Sequence, residues 1–175
     1  MTTTAIGIDF RTTNSVVAIT DASGNVTTRR FETPSGPVEA YRSALLFYRE
    51  GVRPHVQISH VSGPNALKRA LDGDGEHRFL QSLKTHLSSK AFQDTRLFGK
   101  RYLLEELISI FLSDILPREL HGLPIVSGRP VVFAGERGDE TLAIERLASA
   151  IVMPGPAKSN SLMSRSAPPI GTGVL

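Results

Sequence analysis

Between Ala5 and Ile19 the chain reads AIGIDFRTTNSVVAI, two apolar, β-branched runs separated by a short polar link. Runs of this kind are strands, and so short a link turns the second back on the first, which predicts arms at Ala5–Phe10 and Ser15–Ile19. The link, Asp9 to Asn14, gathers hydroxyls, an amide and one carboxylate. Backbone N–H groups at a tight turn form a concave nest for anions, and Thr and Asn side chains add neutral donors. A carboxylate ending the first strand suits hydrated Mg²⁺, which prefers oxygen ligands and keeps its waters. A plain hairpin with a threonine-rich turn accounts for the same spacing equally well.

The segment GIDFRTTNSVVAI resembles the first phosphate loop of the heat shock protein 70 (DnaK-type) chaperone family, within the actin-like ATPase superfamily. The family pattern is aspartate, any residue, glycine, threonine, threonine, asparagine, serine. Asp9, Thr12, Thr13, Asn14 and Ser15 keep it, and Arg11 stands where the family has glycine. A side chain there either obstructs the close approach of backbone to phosphate or adds a guanidinium charge to the loop. The resemblance implies an α/β fold: an actin-like, ribonuclease H-like lobe with a mixed sheet and helices, incomplete in this chain. It implies ATP and Mg²⁺ as cofactors, Asp9 holding Mg²⁺ through water, Thr12, Thr13 and Asn14 contacting phosphates, and Arg11 in the same loop.

At 175 residues, 40% hydrophobic and 21% charged, the chain has the make-up of a soluble globular domain with a sizeable core. It lacks cysteine, which excludes a disulfide framework and a thiolate zinc site. The five histidines form no metal pattern. The net charge of +3 comes from scattered basic pairs (Arg29–Arg30, Lys68–Arg69, Lys100–Arg101), with aromatics only 6%, which reads as a solvated surface rather than a nucleic-acid face. Neither a signal peptide nor a bilayer-length apolar run is legible, so a cytoplasmic location without membrane contact is expected.

Further along, Val26–Phe31 is expected as a third, antiparallel strand and Ser43–Arg49 as a strand closed by Gly51. Gly63–Leu71 reads as a helix. So does HRFLQSLKTHLSS, where Phe79, Leu80, Leu83 and Leu87 share a helical face with Lys84 at its edge. By itself Lys84 is a surface lysine. In the family a comparable helix carries a lysine that reaches the γ-phosphate and positions the attacking water, and the resemblance gives that catalytic role to Lys84, alongside Asp9. The strongest helix is expected at Tyr102–Leu116, with Leu104, Leu107, Ile108, Phe111, Leu112 and Ile115 as its stripe and Glu105, Glu106, Ser109 and Asp114 off it. A loop at His121–Arg129, a buried strand at Pro130–Ala134 and a helix at Asp139–Ala150 complete the reading.

From residue 153 the chain is rich in Pro, Gly and Ser and has no period. It reads as a disordered tail or as an out-of-frame translation: DNA encoding Lys158–Pro169 can also encode Glu-Ile-Glu-Phe-Val-Asp-Glu-Pro-Ile-Gly-Ala-Ala, which resembles what the family has next. The expected organisation is a partial actin-like ATPase nucleotide-binding domain over 1–152 and this tail over 153–175. ATP binding and hydrolysis, and any client proteins, are then expected of a full-length parent, with this chain inactive because half a cleft cannot sequester nucleotide from water. The alternatives are a carbohydrate kinase of the same superfamily and a non-enzymatic binding module.

Overall fold

The structure, a computed structural model, describes residues 2–33, 35–52, 54–73, 75–116, 122–128 and 139–153. It is an α/β molecule built on a mixed sheet. β1 (Thr3–Asp9) and β2 (Asn14–Asp21) pair antiparallel in the register Ile6↔Ile19, Ile8↔Val17, Asp9↔Val16. β3 (Val26–Thr28) and β4 (Tyr41–Arg42) both pair with β2. Strand pleat sends Ile6, Ile8 and Phe10 to one face, where they join Val17 in the main core, and leaves Gly7 and Asp9 on the other.

A second sheet sets β5 (Ala44–Glu50) between β6 (Gln57–Ser62) and β7 (His77–Gln81), all antiparallel, with α1 (Gly63–Asp72) against it. Its centre is buried on both faces. Leu45 and Phe47 face the main core, while Ala44 and Leu46 meet Ala66 and Phe79 in a smaller one. Gly63 opens α1 at φ +63°, and a Cβ there would collide with the Tyr41 ring, so only glycine fits this junction. A hairpin of β8 (Asp94–Leu97) and β9 (Lys100–Leu103) leads into α2 (Leu104–Ile115). Helix α2 is buried almost all round, and Phe111 meets Phe10 with ring centroids 5.7 Å apart.

β10 (Ile125–Ser127) lies parallel to β1, in the register Ile6↔Ile125 and Ile8↔Ser127. Parallel neighbours cannot be joined by a hairpin, so the chain crosses over between them, and α2 is part of that crossover. The C-terminal ends of β1 and β10 therefore share one edge. α3 (Glu140–Val152) packs on α2 through Ala143, Leu147 and Ala150. Asp139 caps it, accepting from Leu142 N at 3.0 Å, and this bond with the Lys90 ammonium holds the carboxyl below its ordinary value.

Four expectations need correcting. HRFLQSLKTHLSS is not a helix: His77–Gln81 is β7, and only Leu83–His86 forms a 3₁₀ turn. The apolar spacing fits a helix, but pairing with β5 splits Phe79 and Leu80 between the two cores, and Ser82 at φ +60° ends the strand. His121–Arg129 is not all loop, since Ile125–Ser127 is β10; its brevity and the flanking Pro124 and Gly128 mask it. The third strand stops at Thr28, after which Phe31 makes an isolated bridge to Val38. Ser109, expected off the apolar stripe of α2, is buried and donates to Met153 O at 3.0 Å. The strand expected at Pro130–Ala134 and the tail from residue 154 lie outside the described residues.

Candidate functional site

The link joining β1 to β2 is Phe10–Thr13, with Asp9 and Asn14 as the strand residues on either side. Phe10 is driven inward by the pleat, and Arg11, Thr12, Thr13 and Asn14 are all exposed. The far side of the link is tied down. Ser43 N donates to Thr13 O at 2.8 Å, and the hydroxyls of Ser15 and Ser43 share a buried hydrogen bond of 2.8 Å. On the near side Gly128 N donates to Ile8 O at 2.8 Å, which brings the backbone after β10 alongside Asp9. A Cβ on Gly128 would come within 3.7 Å of Asp9 Oδ1.

Three charged side chains meet here. Arg11 Nε lies 2.6 Å from Asp9 Oδ2, in an ion pair 72% and 39% exposed. Lys84 Nζ donates to Phe10 O, although the two residues are 74 apart in sequence. Burial pushes the Lys84 ammonium below its ordinary value; Asp9 pulls it back up, and Arg11 adds a further push down. Of the residues singled out from sequence, Asp9, Arg11 and Lys84 are thus brought together, with Thr12, Thr13 and Asn14 flanking them.

Lys84 arrives at this point through the 3₁₀ turn rather than a helix. Leu83 and Leu87 are buried in the main core on either side of it. Arg146, on α3, holds the turn's other end: its Nη1 donates to His86 O at 3.2 Å, Leu87 O at 3.2 Å and Ser89 O at 2.9 Å. Its Nε pairs with Glu105 Oε1 at 3.1 Å. Sequence reasoning passed over Arg146, yet it lies three residues after Ala143 and four before Ala150, on the apolar face of α3, where an arginine calls for a partner.

One carboxylate and two cations leave the end of β1 with a net positive charge of one, which suits an anion. A bare divalent ion does not fit this donor set. Asp9 is the sole carboxylate from the end of β1 to the start of β2 and already carries a guanidinium, and among the described residues no group of three His, Asp or Glu side chains could hold a metal. A separate groove beside α1, lined by Val61, Asn65, Lys68, Arg69 and Asp72, shares none of these residues. Among the described residues no helix is long and apolar enough to cross a membrane. Compared with protein-family models and with curated proteins, the chain matches none.

Proposed function

We propose that the Phe10–Thr13 link is a nucleotide phosphate site of an actin-like, DnaK-type ATPase lobe, and that ATP is its ligand. The observation that carries this reading is the hydrogen bond from Lys84 to Phe10 O, which sets an ammonium at the start of the link, near Asp9 and Arg11. Backbone N–H groups of an exposed turn, two threonine hydroxyls, the Asn14 amide and two cations are the donors that phosphate oxygens take. Support also comes from the sheet. A meander of β1, β2 and β3 with β10 parallel on the opposite side of β1 leaves the link at the C-terminal end of β1, where open α/β sheets bind ligands. In this reading Lys84 contacts the terminal phosphate and orients the attacking water. Hydrolysis would further require water to be excluded from the phosphates, and the exposed link does not exclude it by itself.

Titration calorimetry with ATP tests the reading. Wild type should bind saturably, and Lys84→Ala should weaken binding about tenfold or more, as loss of a charge-assisted bond costs about 1.5–3 kcal/mol. Equal affinity in the two proteins, or no binding by the folded wild type, would remove the site.

A further inference from the structure

The charge arrangement at the end of β1 points beyond phosphate binding in general. Asp9 would ordinarily be the group that receives a hydrated cation, and here its Oδ2 receives Arg11 Nε at 2.6 Å. That contact uses one of the five N–H donors of the guanidinium, and among the described residues no further partner of Arg11 is within hydrogen-bond or ion-pair distance. The Arg11 side chain is well exposed, so its four remaining N–H donors are open to a second acceptor while Nε stays on Asp9. A phosphate is such an acceptor, because it takes two parallel bonds from an arginine fork. With Lys84 close enough to feel both groups, a divalent ion approaching Asp9 is repelled by two positive charges and attracted by one negative, whereas a polyphosphate is attracted by the two and repelled by the one.

We infer that Arg11 is the resident cation of this site and that the chain binds a nucleoside polyphosphate without a divalent metal ion. The inference rests on the reading of the link as a phosphate site. It explains why an arginine can stand in the family's glycine position, since the guanidinium neutralises Asp9 and supplies the charge that a metal ion would otherwise bring.

The test is ATP binding by the full chain in EDTA and in excess MgCl₂, for wild type, Arg11→Gly and Arg11→Gln. Arg11 is exposed, so neither variant removes core packing, and far-UV circular dichroism verifies that both fold. Wild-type affinity should differ by less than about threefold between the two buffers. In EDTA both variants should bind about tenfold more weakly or worse, and Arg11→Gly should recover affinity on adding magnesium, because Asp9 is then released. Wild-type binding that disappears in EDTA and returns with magnesium would overturn the inference while leaving the phosphate site standing. Variants that match wild type in EDTA would overturn it too. No wild-type binding in either buffer would overturn the site itself, and the inference with it.

Discussion

Two cations bracket the 3₁₀ turn Leu83–His86, and they are treated differently. Arg146 is 8% exposed and held by four acceptors, a carboxylate on Nε and three carbonyl oxygens on Nη1. Lys84 is only partly buried, donates to a single carbonyl and, among the described residues, has no carboxylate within ion-pair distance. A buried arginine held by several protein acceptors is a structural device, fixing where the turn sits. An ammonium held by one carbonyl at a half-open site keeps donors for something else. The same short segment thus has one end fastened and the other end presented, and the difference lies in partners rather than in residue class.

The largest effect should come from the fastened end. Arg146→Met leaves Glu105 and three carbonyls without their partner, and breaking such a buried pair costs about 3–5 kcal/mol. Urea denaturation should register it as a lower midpoint, and adding Glu105→Leu should recover much of the loss. A cost no larger than that of a surface substitution would show that Arg146 is not the fastening.

At the presented end, Lys84→Met should change stability by less than about 1 kcal/mol, because it removes one bond and one partly desolvated charge together. Its nucleotide affinity should nonetheless fall, the reverse of what Arg146→Met does. A large stability loss from Lys84→Met would erase the contrast between the two cations.

A smaller, pH-dependent effect follows from the depressed Lys84 ammonium. Between its folded value and the ordinary 10.5 the unfolded chain binds the extra proton, so stability should rise with pH through that window and level off above it. Subtracting the pH profile of Lys84→Met isolates this contribution, and a difference that falls with rising pH would reverse the assigned cause. The smallest effect should be at the start of α3. The Asp139 carboxyl is held below 3.8, so its contribution is present above that value and lost as pH falls through the folded value. Asp139→Ala should speed amide exchange at Leu142 near neutral pH and remove that acid dependence.

What was legible in the sequence follows how local each signal is. Ile6, Ile8 and Phe10 alternate, and Leu104, Leu107, Ile108 and Phe111 recur at helical spacing, so β1 and α2 can be read from neighbours a few residues apart. Phe79 and Leu80 mislead because only pairing with Leu46 and Leu45, over thirty residues earlier, shows that they face opposite ways. β10 is three residues long and exists because β1 offers it an edge. The β8–β9 turn hides behind Phe98, a bulky residue at φ +52° with the Arg49 guanidinium 5.2 Å from its ring centroid. At the site, Asp9 and Arg11 are neighbours and can be read as a pair of charges. The resemblance supplied Lys84; its contact with Phe10 O, and the role of Arg146, depend on how distant elements pack.

The most direct measurement is a backbone amide shift map of the ¹⁵N-labelled chain titrated with ATP. The changes should concentrate at Phe10–Asn14, Lys84 and Gly128, with the amides beside Arg146 in α3 unmoved. Shifts centred on the α1 groove, or none at saturating ATP, would contradict the assignment of the link as the phosphate site.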